Sequence, residues 1–134
     1  MDLNQYQELA RSTAIYPTEH RIVYPALGLA GEAGEVAEKI KKMLRDGTPE
    51  EDVQVALSKE LGDVLWYIAN MASDMGLSLS DIAEINVLKL ANREKKGLLQ
   101  GSGDDRGESE NQLSELQKKL SKDRANLTGL GDSQ

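Results

Sequence analysis

One pattern occurs twice in this chain, and that repeat constrains the fold more than any other feature. Glu32, Gly34 and Glu35 recur 28 residues later as Glu60, Gly62 and Asp63. The same shift carries Leu29, Ala33, Val36, Ile40 and Met43 onto Leu57, Leu61, Val64, Ile68 and Met71. Apolar residues at three- and four-residue intervals mark one face of a helix, and an offset of whole heptads preserves that face. At about 100° per residue, the first acid of each pair lies roughly 60° from the centre of its apolar stripe. The second lies roughly 120° away, on the same side.

The loop between the two helices, centred near Gly47 and Thr48, is short, so the helices are expected to pack as antiparallel neighbours; parallel packing needs a long crossover. Side chains displaced to the same side of each stripe then share one face of the pair. Glu32, Glu35, Glu60 and Asp63 also lie at similar distances from the connecting loop, so the four carboxylates are expected to converge. Clustered acids raise one another's pKa unless a cation sits among them. Oxygen-only ligands, in a chain without Cys, favour Mg²⁺ or Mn²⁺ over zinc, and Mg²⁺ commonly takes phosphate oxygens as further ligands. A di-iron carboxylate centre calls for Glu-x-x-His pairs, and the sole His20 lies outside both motifs. The competing reading is a solvated helix face, in which Glu35 pairs with Lys39 and Glu38 with Lys42 at i, i+4 spacing.

The remaining elements follow from start and stop signals. Leu3, Tyr6, Leu9, Ala10 and Thr13 predict a short first helix ending before Tyr16-Pro17. Pro25, a good first helical residue, is expected to open the second helix and Gly47 to end it. Thr48-Pro49-Glu50-Glu51 offers an N-cap, a proline and a capping-box glutamate for a third helix running to about Met75. Gly76 closes it, Ser80 caps a fourth helix from Asp81 to about Lys96, and Gly97 ends that one. The fold class is therefore all-α, a four-helix antiparallel bundle over residues 1–97. Residues 98–134, rich in Gly, Ser and Asp, read as a polar flexible tail in which only Leu113, Leu116 and Leu120 suggest an amphipathic turn.

Three smaller features bear on the site. Gly28, Gly31 and Gly34 each oppose helix formation by about 1 kcal/mol relative to Ala, a cost that close approach of another helix would offset. Trp66 lies opposite the apolar stripe of the third helix, which predicts that another helix or subunit covers it. Asn86, Lys89 and Arg93 share one face of the fourth helix and form a basic, hydrogen-bonding stripe.

Composition limits the function classes. A chain of 134 residues supports one compact domain, and 39% apolar residues with no Phe and one Trp make a thin core. Burial between subunits would complete it, so a homo-oligomer is expected. A net charge of −7 argues against nucleic acid or an anionic membrane as partners. With no Cys, disulfides and thiolate sites are excluded. No basic stretch followed by an apolar run opens the chain, and no apolar segment approaches the roughly 18 residues of a span. A soluble, cytoplasmic protein is expected.

Residues 28–38 (Gly-Leu-Ala-Gly-Glu-Ala-Gly-Glu-Val-Ala-Glu) and 59–68 (Lys-Glu-Leu-Gly-Asp-Val-Leu-Trp-Tyr-Ile) resemble the MazG-like nucleotide pyrophosphohydrolases. The resemblance covers about residues 1–97, including Asn-x-x-Lys-x-x-x-Arg on the fourth helix. It is to the short bacterial and phage members. It implies hydrolysis of a (d)NTP between the α and β phosphates by Mg²⁺-activated water, giving the monophosphate and pyrophosphate, with dGTP or another deoxynucleotide as substrate. It further implies that Glu32, Glu35, Glu60 and Asp63 are metal ligands and that Asn86, Lys89 and Arg93 contact phosphate. Glu35 is the residue expected to orient or deprotonate the water. Dimers, or tetramers as dimers of dimers, are implied as well. Where many members carry a further glutamate before the first motif, this chain has Gly31. The alternatives are a phosphoribosyl-ATP pyrophosphohydrolase, which shares the bundle and acidic motifs, and a non-catalytic helical interaction module.

Overall fold

The structure, a computed structural model, describes residues 1–101, 118 and 122. Most of the tail expected over residues 98–134, including its turn at Leu113, Leu116 and Leu120, lies outside the described residues. Four α-helices, and no strand among the described residues, confirm the all-helical class: α1 (Leu3–Ser12), α2 (Val23–Asp46), α3 (Glu50–Asp74) and α4 (Leu79–Lys95). A 3₁₀ turn at Thr18–His20 lies between α1 and α2. The chain divides into two compact units, Met1–Leu79 and Ser80–Gln134, each described by itself. No helix among the described residues is long and apolar enough to cross a membrane.

Helix ends are set by caps, and three starts differ from expectation. Asp2 and Gln5 form a reciprocal capping box on α1: the Gln5 amide donates to Asp2 Oδ1 at 2.8 Å and the Asp2 amide to Gln5 Oε1 at 3.0 Å. Helix α2 begins at Val23, two residues before Pro25, because a proline inside the first turn forgoes no helical hydrogen bond. Pro49, not Thr48, holds the cap position of α3, with no side-chain cap bond. Glu50, Glu51 and Asp52 instead place three negative charges against the positive end of the helix. Helix α4 starts at Leu79, ahead of Ser80, because Gln7 of α1 reaches across to take the Leu79 amide at 2.7 Å. The Gln7 amide nitrogen donates in turn to Ser73 Oγ at 3.0 Å and to the Leu77 carbonyl at 2.8 Å. Gly47, Gly76 and Gly97 end their helices as expected, at φ of 64°, 68° and 68°, a region costly for any residue with a Cβ.

Contacts between α2 and α3 run in opposite order along the two helices. Gly28, early in α2, lies against Tyr67, late in α3, whereas Lys39, further along α2, meets Glu60, earlier in α3. Leu29, Val36, Ile40 and Met43 are half-buried, as are their repeat partners Leu57, Val64, Ile68 and Met71. Ala33 and Leu61, the fifth expected pair, are exposed. Also exposed are Leu27 and Val55, themselves 28 residues apart and each 70% accessible, and Leu44 at 74%.

The buried centre is Ala10, Ala69 and Leu79, with Tyr6, Leu65, Trp66 and Ile68 packed on it. Helix α1 thus covers the Trp66 side of α3, as the one-sided excess of apolar surface there predicted, and Trp66 Nε1 donates to Thr13 Oγ1 at 2.8 Å. A second tie joins the segment after α1 to the end of α3. Asp74, with 2% of its side chain accessible, accepts from Arg11 at 2.9 Å and from the Tyr16 hydroxyl at 2.5 Å. Tyr16 is stacked on Tyr24 at 5.0 Å.

Burial and the bond to Asp74 push the Tyr16 hydroxyl up from 10.0 to about 12. Because the folded value exceeds the unfolded one, the contribution is complete below pH 10 and lost as pH rises towards about 12. Tyr16→Phe is therefore expected to remove the latest-titrating phenol from an ultraviolet titration and to flatten the loss of stability over that alkaline window. An unchanged titration curve would contradict the assignment.

Candidate metal centre

The first acid of each repeat occupies the seam between α2 and α3. Glu32 comes from α2, Glu60 and Asp63 from α3, and one carboxylate oxygen of each lies within 4.8 Å of the others. Glu32 and Glu60 are half-buried and Asp63 is exposed. The repeat places Glu32 and Glu60 there because each first acid flanks its apolar stripe, so the contact that buries the stripes also draws these two together.

Glu35 does not join this trio and is exposed. Rotation from the stripe does not separate it from the others, because Asp63, at the same roughly 120° as Glu35, does join the trio. Glu35 is still near enough for its charge to act on both Glu32 and Lys39. The Glu32 carboxyl is held above its ordinary value, first by partial burial and then by the negative charges of Asp63, Glu35 and Glu60. Two phenols border the same acids. Tyr67 and Tyr6 are both raised, first by burial, with the charge of Asp63 contributing at each and that of Glu32 at Tyr67.

In the competing solvated-face reading Lys39 pairs with Glu35. The structure sends it across the seam instead, with Nζ 3.1 Å from Glu60 Oε1. The spacing holds the signal for this: Lys39 follows Glu32 by seven residues, two turns on the same face, which directs it to the seam. Its own pKa is raised, by the Glu60 hydrogen bond first and then by Glu60's charge. Glu38 does pair with Lys42 as expected, at 3.2 Å, and also with Lys41.

Of the three helical glycines, Gly28 is the one in close packing: a Cβ there would lie 2.1 Å from Tyr67 Cε1. At Gly31 and Gly34 nothing lies within 4 Å of the same position. In the second unit, Asn86, Lys89 and Arg93 sit on α4, with Asn86 exposed, Lys89 half-buried and Arg93 5% accessible.

The trio suits a hard divalent cation. Its donors are all carboxylate oxygens, without thiol or imidazole, and the repulsion that lifts Glu32 is relieved by positive charge placed among them. An all-helical chain with such a donor set across one helix seam falls among the α-helical proteins equipped to hold such an ion. Residues 25–98, more than half the chain, match the model of the MazG nucleotide pyrophosphohydrolase domain. The chain belongs to that family. It is also 42% identical over 114 residues to the Gene 37 protein of Mycobacterium phage L5, across 79% of this chain and 100% of that protein. No solved structure matches the chain.

Proposed function

We propose that the protein is a Mg²⁺-dependent nucleoside triphosphate pyrophosphohydrolase, converting a (d)NTP to the monophosphate and pyrophosphate by water attack. The observation that carries this reading is the approach of Glu32, Glu60 and Asp63 to within 4.8 Å in a chain of the MazG family. Glu32, Glu60 and Asp63, with Glu35 beside them, hold the ion, and Mn²⁺ substitutes for Mg²⁺. When bound, the ion neutralises triphosphate charge and lowers the pKa of the attacking water. Glu35, exposed beside the trio, orients that water and accepts its proton. Asn86, Lys89 and Arg93 contact phosphate oxygens.

In this reading α2 and α3 are antiparallel, supported by the opposite order of their contacts at Gly28 and Lys39. Residues 1–97 form the catalytic domain and residues 98–134 an appended tail. The exposed apolar residues Leu27, Leu44, Val55 and Leu61 favour covering by a second copy, giving a dimer at least and a tetramer as a dimer of dimers. By the family resemblance the substrate is dGTP or another deoxynucleotide, and the enzyme works in the cytoplasm.

Pyrophosphate and monophosphate release should be measured on the full chain with Mg²⁺ across the common NTPs and dNTPs, with phosphoribosyl-ATP alongside. Release from one or a few deoxynucleotides is the expected result. Cleavage of phosphoribosyl-ATP alone would reassign the substrate. No release from any of them, with no Mg²⁺-dependent rise in Tm, would reduce the chain to a helical interaction module.

A further inference from the structure

We propose that Lys39 is a built-in counter-ion that holds Glu60 in the metal-free protein and surrenders that carboxylate when a divalent cation binds. This rests on the metal reading of the acid trio given above. Lys39 Nζ lies 3.1 Å from Glu60 Oε1, and Glu60 is one of the three carboxylates that approach within 4.8 Å. The Glu60 side chain is 14% accessible and the Lys39 side chain 34%, so the bond is shielded from water mainly on the Glu60 side.

Two cations compete for this place. A lysine ammonium and a divalent ion sharing one carboxylate would repel each other at a few ångströms, with little solvent to screen them on the Glu60 side. The ion carries twice the charge and draws on all three acids, so the ammonium is the partner that leaves. It can leave cheaply, because a four-carbon stem that is one-third exposed reaches water by rotating its own torsions. Neighbouring lysines do not substitute: Lys41 and Lys42 are both engaged with Glu38.

Lys39 thus has opposite effects on the two states. It compensates part of the repulsion among Glu32, Glu60 and Asp63 before metal arrives, and it weakens metal binding by the work needed to displace it. The protein can keep an acidic site folded without metal, at the cost of a looser grip on the ion.

Calorimetric titration of Mg²⁺ and Mn²⁺ into chelator-stripped full-length protein, at fixed ionic strength, tests this with Lys39→Met, Lys39→Arg and Lys41→Met beside the wild type. Lys39→Met should bind metal about three- to ten-fold more tightly, the range set by removing one partly exposed charge. It should also melt lower in chelator and show a larger metal-induced rise in Tm. Lys39→Arg and Lys41→Met should stay near wild type. Unchanged or weaker binding by Lys39→Met overturns the proposal, and so does equal tightening by Lys41→Met, which would trace the effect to net charge. If wild type and Lys39→Met both take up no metal, the metal reading itself fails; normal wild-type binding with an inert Lys39→Met sinks only the role of Lys39. Lys39→Gln serves the same comparison if Lys39→Met does not fold.

Discussion

Glu32→Gln is expected to cut pyrophosphate release by roughly 100-fold or more, the scale of losing one preorganised electrostatic contact at a reacting centre, without destabilising the metal-free fold. The two effects have one origin. Glu32 is the carboxyl of the trio raised by partial burial and by its acidic neighbours, so its charged form is disfavoured in the folded protein. A raised folded value means that its contribution to stability is complete below the ordinary 4.5 and lost as pH rises through the folded value. At neutral pH without metal, the charge on Glu32 therefore works against the fold. The neutral amide removes that repulsion while sacrificing a metal ligand. Glu35→Gln separates the roles: Glu35 stands outside the trio, so this variant should lose turnover comparably yet keep most of its metal affinity. Melting curves in chelator and in Mg²⁺, beside turnover assays, decide the matter. A Glu32→Gln protein that melts well below wild type in chelator, or that keeps near-normal turnover, would contradict this account of the site.

Gly28→Ala should destabilise the protein by about 1–2 kcal/mol, whereas Gly31→Ala, three residues on, should stabilise it by up to about 1 kcal/mol. Both replacements gain the helix propensity of Ala, worth up to about 1 kcal/mol. Only the first meets an obstacle. A Cβ at Gly28 would lie 2.1–2.6 Å from three atoms of the Tyr67 ring, while nothing stands within 4 Å at Gly31. Overpacking of this kind typically costs about 1–3 kcal/mol, which exceeds the propensity gain. Tyr67→Phe would give no relief, since the obstructing atoms belong to the ring and not to the hydroxyl oxygen. The Tyr67 hydroxyl feels the charges of Glu32 and Asp63, so a displaced ring should also lower turnover. Urea midpoints at constant slope measure the stabilities. Gly28→Ala proving as stable as Gly31→Ala would show that the ring moves aside freely.

Much of the fold was legible because its signals are local. The heptad-preserving repeat, the glycines at 47, 76 and 97, and the break after α1 all act within a few residues. The approach of Glu32 to Glu60 and Asp63 was also legible, since it needs only the phase of each stripe and a short linker. What escaped depends on partners distant in sequence. The start of α4 could not be read from Ser80, because its first amide is taken by Gln7, 72 residues earlier. The Lys39–Glu60 pair could not be read either, because i, i+4 rules consider one helix alone and offer only Glu35, whereas Glu60 lies on another. Ala33 and Leu61 were expected inside and are exposed; a stripe fixes which side of a helix is apolar, but not how much of that side one neighbouring helix covers.

The family match begins at residue 25, yet the side chains that finish the core come from before it. Without residues 1–24, Trp66 would lose its cover, the buried acid Asp74 would lose Arg11 and Tyr16, and the first amide of α4 would lose Gln7. A fragment trimmed to the matched segment would keep every acid of the trio and still lack the brace that these side chains give its scaffold. The minimal working unit is therefore larger than the signature by which it is recognised.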